Sequence, residues 1–385
     1  MTLGAPAALV LACLGFIAIG LPDGALGVAW PSLRAEFGWP QSGLALILTA
    51  LALGFLLASN LATGLSARLG VGTLLAASTA VVALAGLLFA WSPTGLVVPL
   101  AAFTLGLGSA TIDTGLNAHG AHHFSARHLN WLHAAYGIGA ALGPALMTWA
   151  LTQGSWRLGY ALLAAALAAL ALLFSVTRGR WARTPPVRAR PGRQPDGRFG
   201  AAALLQVVAF FLYTGLETAA GQWSFAVLSE GRGLSLTVAG AATAVFWTSL
   251  FLGRIAVGFV ADALGADRLV RTGALMALGG AVLFALLPGA AAMAGLAVLG
   301  LGLAPIFPML MKRTAERFAV ATAARLFGLQ VSAAMLGALA VPSLGGLIAD
   351  LVSLEAIALL LGATALSLAL ALVVLSGRPI GRRAT

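Results

Sequence analysis

Long apolar runs alternate along the chain with short segments that hold most of the charges and turn residues. A helix needs about 20 predominantly apolar residues to cross the hydrocarbon core of a bilayer. Such runs lie near 6–30, 43–66, 72–91, 96–118, 130–151 and 157–176, and again near 200–226, 237–261, 269–288, 291–311, 325–349 and 356–376. The pattern predicts twelve transmembrane helices. The runs are too long and too evenly apolar for barrel strands, whose signal is an alternation over about ten residues. The first run has no charged leader, exceeds the roughly 7–15-residue apolar core of a signal peptide, and contains Asp23, so it is read as a retained helix.

Composition narrows the class. Of 385 residues, 60% are hydrophobic and 9% are charged, and the mean hydropathy is +0.99. A soluble chain carries about 25% charged residues, so this one has too few to cover a water-facing surface. That excludes a cytosolic enzyme, a disordered chain and, with Cys13 the sole cysteine, a disulfide scaffold. No GxxxxGK[ST], HExxH or GxSxG signature is present, so no enzymatic role is expected.

The net charge of +11 is distributed by topology. Loops on one side hold 18 basic residues: Arg68, Arg127, seven arginines from Arg178 to Arg198, Arg268, Arg271, Lys312, Arg313, Arg317, Arg325, Arg378, Arg382 and Arg383. Loops on the other side hold three, Arg34, Arg157 and Arg232. Cytoplasmic loops retain excess Lys and Arg, so both termini are expected in the cytoplasm. A nucleic-acid binder would instead gather its basic residues on one face.

Residues 177–199, rich in Arg and Pro, separate an N-terminal half (1–176) from a C-terminal half (200–385). The halves share internal matches. Leu105–Ala110 returns as Leu299–Ala304, Gly64 as Gly258, and Asp23 with Gly27 as Glu217 with Gly221, all offset by 194. Gly143-Pro144 is echoed by Val341-Pro342, offset by 198. Two parallel six-helix repeats place a substrate site near the midplane between them, and the repeat predicts that Asp23 and Glu217 face each other across it.

The stretch Gly258-Phe-Val-Ala-Asp262-Ala-Leu-Gly265-Ala-Asp-Arg268 resembles the GxxxDxxGxxR loop of the major facilitator superfamily. The corresponding Gly64–Gly70 stretch departs from it, with Arg68 in place of the acid and one residue fewer. Asp113-Thr-Gly-Leu-Asn117, His128-Leu-Asn130, Tyr136-Gly137, Tyr213-Thr-Gly-Leu-Glu217 and Phe307-Pro308 resemble motifs of its fucose permease branch. The resemblance implies an all-α fold of two pseudo-symmetric six-helix bundles. It also implies proton coupling at Asp113, with Asp23 standing about a turn from the branch's first-helix acid, a polar lining that includes His133, and gating by Asp262 and Arg268.

Away from the helix ends, four acidic or basic groups fall within the predicted helices: Asp23, Asp113, Glu217 and Arg254. Each costs about 2.5–3.5 kcal/mol to insert, which makes it a functional candidate. Removal from water disfavours an ionised carboxylate, a property that a proton-coupled carrier exploits. The three acids are therefore read as proton-coupling groups. Arg254, one turn before Gly258, is read as a gate. With no other interior cation, a multiply charged anion is not the expected substrate.

The neutral residues suit a polyol or sugar, because amides both donate and accept and aromatic faces cover a ring. Asn60, Asn117, Asn130, His133, Tyr136, Tyr213, Gln222, Trp223, Trp247 and Gln330 are the candidate lining, and Gln206 belongs to the same inventory. The clustered histidines between His119 and His133 lack a cysteine or carboxylate companion, so no metal site is assigned.

The expected function is proton-coupled uptake of a sugar or sugar-like neutral molecule, by a monomer in the cytoplasmic membrane with lipid and solute as its partners. No cofactor is required beyond the proton gradient; sodium stays open as the coupling ion, since carboxylates and carbonyls bind it too. Gly139-(x3)-Gly143-Pro144 resembles the antiporter motif of drug exporters, so proton-antiport efflux of amphipathic compounds is the alternative. A non-transporting sensor or assembly factor is the third.

Overall fold

The computed structural model describes residues 4–182, 200–318 and 320–376. Most of the Arg/Pro-rich linker (183–199) and the final arginines Arg378, Arg382 and Arg383 lie outside the described residues. Among the described residues there are thirteen α-helices and no strand. In chain order they are α1 (Ala5–Phe37), α2 (Leu44–Leu69), α3 (Val71–Ala90), α4 (Val97–His123), α5 (Ala126–Thr152), α6 (Trp156–Thr177) and α7 (Ala201–Ala226). They continue with α8 (Leu236–Leu264), α9 (Ala266–Leu286), α10 (Ala292–Leu303), α11 (Ile306–Arg317), α12 (Val320–Leu351) and α13 (Ala356–Ser376). Twelve stretches among the described residues are long and apolar enough to cross a membrane, α10 and α11 together making one.

The span expected near 291–311 is thus broken in two. Pro305 stands at the break, where its ring lacks an N–H and crowds the carbonyl four residues back. The first helix runs beyond the expected 30, through Pro22 and Pro31, to Phe37. It stops at Gly38, whose φ of 64° is left-handed, and the Trp39 N–H closes the turn on the Arg34 carbonyl at 3.0 Å. Serines start the fifth and sixth helices: Ser125 Oγ accepts from the His128 N–H, and Ser155 Oγ from the Leu158 N–H.

By compactness the chain forms two units, residues 1–187 with 235–244, and residues 188–234 with 245–385. In the first, α1 crosses α5 backbone to backbone. A side chain at Gly20 would strike the Tyr136 carbonyl, and one at Gly24 the Ala140 carbonyl. From the other helix, Gly139 meets the Ile17 carbonyl and Gly143 the Leu21 carbonyl. Helices in lipid gain no hydrophobic drive to associate, so small residues that allow such close approach take over that role.

The second unit repeats the device. Gly337 of α12 meets the Phe211 carbonyl of α7, as Gly139 meets Ile17. Gly300 of α10 meets the Phe246 carbonyl of α8, as Gly106 of α4 meets the Leu51 carbonyl of α2. The internal repeat seen in the sequence is therefore a repeat of helix crossings.

Each unit also carries an ionic clamp at one end. Arg157, opening α6, pairs with Glu36 and donates to the Ala90 carbonyl at 3.0 Å. Arg232 pairs with Glu355 at 2.9 Å and donates to the Leu287 carbonyl at 3.1 Å. Leucines such as Leu53, Leu56, Leu57 and Leu61 on α2 stay exposed, as befits a surface whose solvent is hydrocarbon.

Candidate functional site

In the first unit the crossing of α1 and α5 positions an acid against a phenol. Gly20 and Gly24 flank Asp23 and let α5 approach, and the Tyr136 hydroxyl donates to Asp23 Oδ2 at 3.1 Å. Asp23 is half-buried. Four residues along one helix face, Asn117 Nδ2 donates to Asp113 Oδ1 at 2.9 Å. Asp113 is half-buried on α4, and the small residues around it let that helix close on α3: Gly108 meets Val82 and Ser78, and Gly115 meets Leu74.

The remaining predicted residues of this unit are dispersed. His133 is exposed and packs edge-on against Phe16 at 5.2 Å. Asn60 is exposed and donates to the Leu56 carbonyl of its own helix at 2.7 Å. The side chain of Asn130 lies outside the described residues. His119 is buried and stacked on His123 at 4.2 Å; among the described residues no three His, Cys, Asp or Glu gather as a metal site would require.

The second unit treats its acid differently. Glu217 is buried on α7, and Arg254 of α8 places Nη2 3.2 Å from one carboxylate oxygen and 3.3 Å from the other. The same nitrogen donates to the Tyr213 hydroxyl at 2.9 Å. Residues 213 and 217 stand one turn apart, so one guanidinium spans both. Phe307, in the first turn of α11, covers this group from the side, 6.0 Å from the Tyr213 ring and 5.1 Å from Phe210.

Several residues expected to line a site are buried within the second unit. Trp223 is fully buried, its Nε1 donating to the Pro342 carbonyl at 2.9 Å. Trp247 packs on Gly221, where any side chain would collide with its ring. Gln330 is fully buried and donates to Thr314 Oγ1 at 2.8 Å. Gln222 is buried on α7, and Gln206 is fully buried with neither amide atom hydrogen-bonded among the described residues.

Arg254 faces Glu217 and Tyr213, because α8 lays it beside α7 well before the loop begins. Asp262 is fully exposed, 3.5 Å from Lys312 Nζ. Near that loop the buried Arg313 of α11 pairs with the half-buried Asp267, a neighbour of the exposed Arg268. The sequence reading missed this pair, the Tyr136–Asp23 bond and the Arg254–Glu217 contact. The four-residue spacing of Tyr213 and Glu217 was the available signal for part of the last.

Known proteins match the sequence and the fold. The sequence profile of the Major Facilitator Superfamily matches residues 12–292. "Bypass of stop codon protein 6" of Saccharomyces cerevisiae is 25% identical over 290 residues, covering 66% of this chain and 57% of that protein. The chain therefore spans less than two thirds of that relative's length. Among solved structures, the nucleoside transporter NupG superposes with a TM-score of 0.75 at 13% identity, covering 96% of this chain and 99% of that one. A bacterial homologue of the human lysosomal transporter Spinster gives 0.73 at 13% identity, over 97% and 95%. The Escherichia coli fucose:proton symporter FucP gives 0.64 at 15% identity, over 96% and 99%. At these identities the solved structures establish the fold alone.

Proposed function

The chain belongs to the Major Facilitator Superfamily, and from that premise we propose that it couples protons to uptake of a sugar or sugar-like neutral molecule by alternating access. The observation that carries this reading is the treatment of the two acids in the first unit. Asp23 accepts from a phenol and Asp113 from an amide. Both partners are uncharged and bifunctional: each donates to a carboxylate, and after reorienting each accepts from a carboxylic acid. An acid with such a partner keeps a hydrogen bond whether or not it holds a proton, which is what a reversible carrier of protons needs.

Glu217 takes a different role in this scheme. Its partner Arg254 is a fixed cation that donates but cannot accept, so neutralising the acid ends the ionic attraction and leaves the new acid proton without an acceptor on that partner. We assign Glu217, Arg254 and Tyr213 to substrate-linked switching: a hydroxylated solute offers acceptors to the guanidinium and donors to the carboxylate. Two fold neighbours are named for a nucleoside and for fucose with a proton, and a hydroxylated neutral ring is the substrate class extended here to this chain. The place of work is the cytoplasmic membrane, with both termini in the cytoplasm.

The test is proton movement on solute addition. Adding the transported sugar, polyol or nucleoside to weakly buffered cells alkalinises the medium, and Asp113→Asn abolishes the change. Absence of alkalinisation with every neutral solute of these classes overturns the reading.

A further inference from the structure

In the second unit a cleft of about 290 Å³ opens where α8 turns into α9 and α11 ends. Arg268, Arg271, Arg313 and Arg317 line it, together with Asp267 and Glu316. Four arginines and two acids therefore line the cleft, an excess of cationic residues over acidic ones. Arg313 makes the point most sharply. Its side chain is 3% exposed and Nη2 lies within ion-pair reach of Asp267, yet neither Nη1 nor Nη2 makes a hydrogen bond among the described residues. A buried donor left unsatisfied is costly, and a ligand oxygen removes that cost.

The backbone adds to the same opening. Gly265 and Ala266 also line the cleft. Gly265, at φ +76°, starts α9 without a side-chain cap, and a Cβ there would meet open space. The first N–H groups of a helix have no acceptor within the helix, and such a terminus favours a bound anion.

We propose that this cleft binds a phosphate group, presented either by an anionic lipid headgroup or by a soluble phosphate. Guanidinium forks match phosphate oxygens in pairs, and four arginines line this cleft. The loop joining α8 to α9 lies on the arginine-rich side of the chain, which the positive-inside bias assigns to the cytoplasm. At that level basic clefts between transmembrane helices meet lipid headgroups. This site is independent of the proposed solute and of the acids assigned to proton coupling.

The experiment uses the purified full chain with two probes. Thermal unfolding is followed against rising sodium phosphate and against sodium chloride at equal ionic strength. Native mass spectrometry then compares retention of phosphatidylglycerol with that of phosphatidylcholine. Saturable stabilisation by phosphate beyond that by chloride is expected. Preferential retention of phosphatidylglycerol, displaced by phosphate, identifies lipid as the source; phosphate stabilisation without such retention identifies a soluble phosphate.

Arg271→Gln combined with Arg317→Gln weakens either response about tenfold, with an unchanged gel-filtration profile. Arg68→Gln, at the corresponding loop of the first unit, leaves the response intact. Should the double variant fail to fold, Arg271→Gln alone, at an exposed position, shows the same direction of change. Equal effects of phosphate and chloride together with equal retention of the two lipids, or responses indifferent to Arg271→Gln, overturn the proposal.

Discussion

The two units carry the same clamp written with opposite charges. In the first, the acid Glu36 ends α1 and the base Arg157 opens α6. In the second, the base Arg232 follows α7 and the acid Glu355 precedes α13. In both, the arginine also reaches a carbonyl at the end of the unit's third helix, Ala90 or Leu287. Exchange of sign leaves the stitch intact. The repeat-matched acids behave in the opposite way. Asp23 and Glu217 stand 194 residues apart, yet one is met by a phenol and the other by a guanidinium. The two units share crossings and stitches but differ in the chemistry at the membrane interior, and that difference is where the coupling roles are assigned.

The largest effect expected is common to both units and tests the crossings themselves. Gly24→Val and Gly337→Val each drive a side chain into a backbone carbonyl of the facing helix. Loss of a monodisperse gel-filtration peak is expected for both; a native profile for either would show that the crossing yields.

Next comes the contrast between the acids. Arg254→Ala strips the buried Glu217 of its cation and costs about 3–5 kcal/mol in unfolding free energy, a loss that Glu217→Gln in the same chain largely restores. Tyr136→Phe removes one hydrogen bond from Asp23 and costs about 1 kcal/mol. Denaturant titration measures both. Equal penalties would erase the proposed difference between the units.

The smallest effect concerns the clamp. Exchanging Glu36 and Arg157, as Glu36→Arg with Arg157→Glu, converts the first unit to the charge order of the second. Glu36 is 42% exposed on its side chain, and pairs so placed contribute about 0–1 kcal/mol. Because the exchange also removes the donors that Arg157 gives the Ala90 and Ser92 carbonyls, it costs about 1 kcal/mol in the same titration, whereas Glu36→Gln alone stays within the range of about 0–1 kcal/mol.

Much of this architecture was legible in the sequence, because a bilayer demands long apolar runs and breaks in them are plain. The division at Pro305 follows from an Ala-Pro-Ile-Phe-Pro stretch inside one such run. Contacts within a single helix were legible in principle: Asp113 with Asn117, and Tyr213 with Glu217, share the four-residue spacing that stacks side chains on one face. Contacts between helices were not. Tyr136 reaches Asp23 across 113 residues and Arg254 reaches Glu217 across 37, and both depend on which helices cross and at what height. The loop motif drew attention to Asp262 and Arg268, whereas the acid that pairs with a buried arginine is Asp267. Similarly, Trp223 reads as a ring-covering lining residue, but its indole N–H is taken by the Pro342 carbonyl.

The most direct test separates exchange from accumulation in proteoliposomes loaded with the transported solute. An asparagine at position 113 imitates the neutral acid, so Asp113→Asn should sustain solute counterflow at a rate near that of the parent chain. It should at the same time lose all accumulation driven by an inward proton gradient. Undiminished gradient-driven accumulation in that variant would contradict the account.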